Sequence, residues 1–478
     1  MSASSPSSQL FKAYVKRITS NLRHRELIQT ALRKYETQRD IQKASFQDWQ
    51  GARRTASERK WEAINHLDEH LESLASKLEA RGTKVHWAST AGQARQIFLD
   101  ILKETGARSI IKSKAMTAEE IHLNDALAEA GYSVVESDLG EYIVQLREEA
   151  PYHIVFPAMH LTRGDISTLF AEKLGTAPTD NPEDLTMIAR RVLRDKYVSA
   201  DVGITGANFA IAETGMISIT ENEGNARLTA ALPRTMITLL GIEKVLPKLS
   251  DLALFLPMLA TAGAGQLLTG YNSLYGGPSQ PGECDGPEEY HVVFIDNGRT
   301  QLLADAEQRD ALHCIRCGAC LNVCPIYRNV GGHAYGTTYS GPIGSVITPH
   351  LRGLQEWKHL SQASSLCGAC SEACPVQIDL HHHLLQNRRN AMASKPVWWE
   401  KIAFRGFGLL AAKPALLYKL MPFGRFAQKW FHWIVKGGPL DPARVWTETR
   451  ELPPIAERTF TDLWRARKRR ERNARRTA

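Results

Sequence analysis

Eight cysteines occur in this 478-residue chain, and seven fall in two short runs. The first run, "CIRCGACLNVCP" at 314–325, places Cys314, Cys317, Cys320 and Cys324 in the order C-x2-C-x2-C-x3-C-P. The second, "SSLCGACSEACP" at 364–375, repeats the last three positions with Cys367, Cys370 and Cys374 but carries Ser364 in the first. Three thiolates spaced by two residues let one tight loop reach three corners of an iron–sulfur cube, while the fourth Cys points away. In chains with two such runs that fourth Cys ligates the other cluster. Cys314, Cys317, Cys320 and Cys374 are therefore expected to hold one 4Fe–4S cluster. Cys324, Cys367 and Cys370 are expected to hold three corners of a second. Zinc sites usually show two separated C-x2-C pairs, which this spacing does not match.

The fourth corner of the second cluster has several candidate occupants. Ser364 could bind iron through its alkoxide, or that iron could carry water or a ligand from elsewhere. Alternatively, the cluster could lack the iron and be 3Fe–4S. A four-iron cluster with a non-Cys corner is preferred. Cys284, in the polar stretch "PGECDGPEE", has no local feature that favours it as a ligand. Clusters of this type carry single electrons. The runs themselves supply no acid, base or hydride carrier. The segment between them, 327–349, is rich in Gly, Tyr and Pro and is expected to form an ordered loop over the clusters. His333 within it reads first as a hydrogen-bonding group, and second as a ligand or redox-linked proton site.

Composition is that of a soluble globular protein, 43% hydrophobic and 23% charged. The clustered cysteines argue for metal ligation rather than disulfides, and so for a reducing cytoplasm. "MSASSPSSQLFKAYVKR" has no apolar secretory core. The uncharged stretch 252–282 is interrupted by Pro257, several Gly and Gln266, and is expected to be a buried helix and loop rather than a membrane span. The net charge of +8 concentrates in 465–478, with eight Arg or Lys against one Glu. This tail reads as disordered and available to acidic surfaces. Nothing else points to nucleic acid.

The elements that must position the cysteines follow from periodicity. Residues 1–20 read as a loose polar start to a helical region 1–82. Within it Trp61, Ile64, Leu67, Leu71, Leu74 and Leu78 mark one helix face, and Gly82 stands where a C-terminal cap belongs. Strands are expected at 84–88, 109–113, 132–137 and 153–158. Helices are expected at 163–174, at 182–197 and after Thr117, which with Glu120 forms a capping-box pattern. The strand-rich stretches "GITGANFAIAETGMISIT", "MITLLGIEKV" and "EYHVVFID" complete an α/β domain over 83–305 with a doubly wound, mainly parallel sheet. A helical, ferredoxin-type cluster domain follows at 306–390. An aromatic and basic helical segment occupies 391–464, and the tail 465–478. The part 396–436 suits either a packed helical cap or an interfacial surface. Lys112, Ser113 and Lys114 follow a strand and precede a helix, where open α/β sheets bind anions. Gly203, Gly206 and Asn208 could let backbone approach a small ligand. Arg227 and Arg234 are further cationic candidates.

Taken together, the α/β stretch "GITGANFAIAETGMISIT", the two cysteine runs and the loop "GGHAYGTTYSGPIG" resemble the lactate-utilisation iron–sulfur protein B family. The resemblance spans nearly the whole chain. It implies an α/β domain of sugar-isomerase and CoA-transferase type, and a cytoplasmic three-part system oxidising L-lactate to pyruvate. It further implies sister subunits, one of them with Cys-Cys-Gly modules; the surface 396–436, read as interfacial, would suit docking onto them or onto a membrane-side electron acceptor. A second run with three Cys agrees with that family's pattern. CoA-transferase-like folds use a Glu nucleophile at a strand-end turn, and Glu213 in "AETG" is placed similarly, with Glu221 following. The alternatives are the iron–sulfur subunit of a glycolate-type oxidase, or an acyl- or CoA-handling enzyme with redox clusters attached.

Overall fold

A computed structural model of the chain describes residues 5–395, 398–435, 447, 450, 451 and 453–477. The chain divides into two compact units, residues 1–393 and 394–478. In the first, ten strands run in chain order. They are β1 (Lys84–Ala88), β2 (Ser109–Lys112), β3 (Ser133–Glu136), β4 (Val202–Gly206), β5 (Phe209–Ile211), β6 (Met216–Glu221), β7 (Thr235–Gly241), β8 (Val245–Leu246), β9 (Tyr271–Tyr275) and β10 (Glu289–Ile295). Six of them form one parallel sheet in the order β1-β10-β7-β4-β2-β3. A second, mixed sheet has the order β8-β5-β6-β9.

Both faces of the central strands β10, β7 and β4 are covered, which is why these read as largely apolar runs, while the edge strand β1 stays partly exposed. Ile237 and Leu239 of β7 and Val293 and Ile295 of β10 share a core with Phe98, Ile101 and Leu102 of the helix Ala91–Glu104. The alternate residues Met236, Leu240, Val292 and Phe294 pack with Leu71, Leu74 and Leu78 and with Ile217 of the second sheet. A third core joins the N-terminal helices to the cysteine region. It contains Ile28 and Leu32, Phe255 and Met258, and Leu321, Ile343 and Leu360.

Several expectations change. Residues 6–19 are helical, not loose. Pro6 opens the helix Pro6–Thr19, and the hydroxyls of Ser5 and Ser7 donate to the Glu356 carbonyl at 2.8 and 2.9 Å. The helix face from Trp61 to Leu78 is split at His66 into Trp49–Asn65 and Leu67–Glu79, and Trp61 stays exposed. Gly82 does end the second helix with φ +87°, as Thr83 N–H reaches the Leu78 carbonyl. Residues 153–158 form no strand. Pro157 lacks a ladder donor, and the N–H groups of Val155 and Phe156 both go to His153 Nδ1. Thr117 does not cap a helix. It lies inside Met116–Glu120, and Glu120 turns into the core. The uncharged stretch becomes the buried helix Leu252–Ala264 followed by β9. No helix among the described residues is long and apolar enough to cross a membrane.

In the second unit, helices span Trp398–Ala411, Pro414–Val435 and Phe460–Thr477. The basic tail is thus helical over its described residues. Thr459 and Asp462 cap it reciprocally, Arg467 pairs with Glu471 one turn on, and Arg, Lys and Ala are good helix formers. Trp398, Phe404, Phe423, Phe426 and Trp430 are exposed.

Gly203 belongs to this packing. A Cβ there would lie 2.0 Å from the Thr229 carbonyl oxygen, because the helix Asn225–Ala231 crosses β4 at that point. Gly203→Ala is expected to destabilise the chain by about 1–3 kcal/mol, read as a lower urea midpoint with cluster absorbance retained.

Candidate metal centre and adjoining pocket

The two cysteine runs fold as copies of one turn. Arg316 and Leu366, each just before a Cys, have left-handed φ of 60° and 55°. Gly318 and Gly368, each just after one, have φ of 79° and 84° and open the short helices Ala319–Val323 and Ala369–Ala373. Cys324 and Cys374 leave those helices with ψ 119° in both. The match extends to the position where the sequences differ. Arg316 N–H donates to Cys314 Sγ at 3.4 Å, and Leu366 N–H donates to Ser364 Oγ at 3.2 Å. Ser364 therefore presents its oxygen as Cys314 presents its sulfur.

Cys314, Cys317, Cys320 and Cys374 line one cavity, closed by Ile315, Ile343, Val376, Ile378 and Leu380. Burial in these apolar walls raises the Cys317 and Cys320 thiols above their ordinary pKa. Burial and the neighbouring Cys314 push Cys374 up to about 12. The remaining three do not line that cavity; they lie within electrostatic reach of one another, and Cys370 also of Cys320. Burial, Cys324 and Cys367 push Cys370 up to about 11, and burial with Cys367 raises Cys324. Metal ligands must be thiolates, and apolar burial disfavours thiolates unless cations are present. Each set is thus suited to iron, and each could hold an iron–sulfur cube using both runs. Cys367 is exposed, so the second set reaches the surface. Cys284 is also exposed and does not line the cavity.

Distant elements hold the first loop. Arg299, just beyond β10, makes a bidentate pair with Glu120 at 2.8 and 2.9 Å, and its Nε reaches Glu243 at 2.6 Å. Glu243 then binds Arg316 of the cysteine loop at 3.3 Å, while Tyr339 OH donates to Glu120 at 2.6 Å. Burial opposes the Glu243 charge, but Arg299 and Arg316 outweigh it and hold its pKa at about 2. Lys60 of the helix Trp49–Asn65 donates to the Glu243 carbonyl at 2.7 Å, and Arg53 donates to the Cys374 carbonyl at 2.9 Å. Sequence reasoning missed Glu120, Glu243, Arg299 and Tyr339. They are far apart in the chain; Glu120 was read only as half of a capping box, and no local pattern marks the other three.

A cavity of about 320 Å³ opens at the C-terminal ends of β2 and β4. Ser113, Lys114, Gly206 and Asn208 line it, together with Glu221, and its floor includes Arg316 and Cys317. Four of the small-molecule candidates are thus brought together, beside the first set of thiols. Lys112 and Gly203 are not. The Lys112 ammonium is fully buried, 2.8 Å from Glu136 and 3.1 Å from Glu119. Burial opposes its charge, yet those carboxylates keep its pKa above normal, so it is an internal ion pair rather than an anion site. Glu213 is exposed outside the cavity, where its carboxylate accepts the Leu249 N–H at 2.8 Å. It has the role of a turn cap and does not line this cavity. Glu221 accepts the Ala226 and Arg227 N–H groups. Arg227 lies over Tyr271, and Arg234 pairs with Glu288 at the surface. His333 Nε2 lies 2.7 Å from the Ala150 carbonyl, within a group that includes Glu149 and His160.

Residues 71–295 match the family described as LUD domain, and residues 310–378 match 4Fe-4S dicluster domain. Lactate utilization protein B of Shouchella clausii is 43% identical over 453 residues, covering 93% of this chain and 94% of its own. The protein of that name from Bacillus subtilis is 41% identical over 475 residues, covering 97% of each chain. The chain belongs to the lactate utilization protein B family. A solved DUF162 family protein from Deinococcus radiodurans covers 48% of this chain and 98% of its own, at 14% identity and TM-score 0.28, too low to carry an argument.

Family membership makes the chain an iron–sulfur protein, and Cys374, the thiol of the second run that lines the first cavity, offers a direct test. Cys374→Ala is expected to abolish the cluster held mainly by the first run and remove about half the iron. Iron per chain and low-temperature EPR read the loss, with circular dichroism confirming the fold.

Proposed function

We propose that the chain is the electron-transfer iron–sulfur subunit of a cytoplasmic system that oxidises L-lactate to pyruvate. The observation that carries the reading is the cavity in which Cys314, Cys317 and Cys320 of the first run meet Cys374 of the second. Cys314, Cys317, Cys320 and Cys374 hold a 4Fe–4S cluster. Cys324, Cys367 and Cys370 hold a second, with the Ser364 oxygen at its fourth corner. Such clusters supply one-electron transfer.

The chain's own residues support that task. Apolar walls exclude water from the first set, while Arg316 and Arg53 bring positive charge to its loop and to the Cys374 carbonyl. The exposed Cys367 gives the second set an outlet to a partner. The relatives' name, lactate utilization protein B, supports L-lactate as the reductant. Sister subunits, one bearing Cys-Cys-Gly modules, complete the system. The exposed aromatic and basic helices Trp398–Ala411 and Pro414–Val435 offer a docking surface to them.

Anaerobic purification with the sister proteins, followed by EPR before and after L-lactate, tests the reading. A reduced-cluster signal is expected after lactate. A signal that dithionite elicits and lactate never does would sink it. Ser364→Ala is expected to lose the iron at its corner and give a three-iron signal on oxidation, whereas Ser364→Cys keeps the full iron content.

A further inference from the structure

Charge divides unequally between the two units. Residues 394–478 hold nineteen Arg or Lys against seven Asp or Glu, a net +12 in a chain of net +8, so residues 1–393 are net −4. Like charge at that density repels itself unless an anionic partner offsets it. The helix Phe460–Thr477 carries the densest part. Along it Arg465, Lys468, Arg469, Arg472 and Arg475 recur at spacings of three and four, which makes one basic stripe. The two acids of the helix are engaged elsewhere, Asp462 in the cap with Thr459 and Glu471 with Arg467.

An apolar stripe adjoins the basic one. Phe460, Leu463 and Trp464 share a face, three and four residues apart, and are 77%, 53% and 44% exposed. Lys468, one turn beyond Trp464, lies over its ring at 5.6 Å, so the two stripes meet there. The pairing restricts the partner. A soluble polyanion takes the cations and leaves the apolar stripe in water. Phe460 and Trp464 stack on each other at 5.9 Å, which leaves no gap between them for a nucleic-acid base. A bilayer interface takes both stripes: aromatic rings enter the headgroup layer while Lys and Arg reach lipid phosphates along their apolar stems. At eighteen residues with this charge, the helix suits lying on a bilayer and not crossing it.

We propose that the helix Phe460–Thr477 seats the C-terminal unit on an anionic phospholipid surface, with Phe460, Leu463 and Trp464 among the headgroups and the basic stripe on the phosphates. The proposal goes beyond the electron-transfer reading and does not depend on lactate being the reductant. It leaves the helices Trp398–Ala411 and Pro414–Val435 to the sister subunits and gives the basic tail a task of its own.

Co-sedimentation of the anaerobic, cluster-loaded full chain with vesicles tests this. Vesicles containing phosphatidylglycerol are expected to bind the chain. Vesicles of phosphatidylcholine alone should bind it at least about tenfold more weakly, and the difference should shrink as salt is raised. Lys468→Glu with Arg472→Glu should weaken binding to the anionic vesicles roughly tenfold or more. Phe460→Ser with Trp464→Ser should weaken it about as much, yet leave binding to a single-stranded polynucleotide unchanged. Both pairs lie outside the cysteine region, so cluster absorbance and circular dichroism should match the parent. Lys103→Glu, on the helix Ala91–Glu104, should bind vesicles as the parent does. Equal binding to both kinds of vesicle, or an unchanged affinity in either double variant, would overturn the proposal. So would tighter binding of the polynucleotide than of the anionic vesicles, or loss of vesicle binding once the sister proteins are present, because the helix would then serve a nucleic acid or a sister subunit.

Discussion

The first cysteine loop is held in place by one buried guanidinium. Arg299 is the hub at which the loop after β2, the turn after β7 and the segment after β10 meet through Glu120 and Glu243. Glu243 hands the constraint to Arg316, and Glu120 hands it to Tyr339 in the segment between the runs. A buried ion pair contributes little net stability when compared with apolar packing. Removing one partner, however, costs about 3–5 kcal/mol because a charge is stranded. The network therefore acts as a positional lock: the cysteine loop cannot move without unpairing buried charge in the α/β domain. The N-terminal helices add a second restraint, with Lys60 on the Glu243 carbonyl and Arg53 on the second run.

Electrostatics around the thiols points the same way. Burial raises the pKa of most of these cysteines, so the cavity favours neutral thiols until cations enter. Around the first set the protein supplies cations of its own. Burial pushes Lys60 and Lys244 down to about 8, while the nearby Cys314 and Glu243 favour their charged forms. Iron binding and the charge state of these lysines are thus linked, and formation of the centre should release protons.

Much of this was legible in the sequence where the cause was local. The cysteine spacing pointed to the four thiols that line the first cavity, Cys314, Cys317, Cys320 and Cys374, because three residues of a tight loop and one beyond it face different ways. The central parallel strands were legible from apolar runs, since both their faces are covered. The errors came from tertiary causes. Residues 6–19 looked loose because their polar start is fixed by Glu356, some 350 residues away. "HIVFPA" looked like a strand, but its His captures the N–H groups a ladder would need. Lys112 looked available because Glu119 and Glu136 come from other elements. Arg299 and Lys244 carried no signal at all, as a lone Arg after "DNG" or a Lys in "IEK" has no distinguishing neighbours.

The meaning of Ser364 also needed three dimensions. Its sequence position suggested a lost ligand. Its backbone, with a left-handed Leu366 donating back to its oxygen, repeats the geometry of Cys314. The account stands on each cluster drawing ligands from both runs. Anomalous diffraction at the iron edge, on crystals of the anaerobic chain, measures that directly. The prediction is two iron centres, one against Cys314, Cys317, Cys320 and Cys374 and the other against Cys367, Cys370, Cys324 and Ser364. A single centre, or two centres each confined to one run, would contradict it.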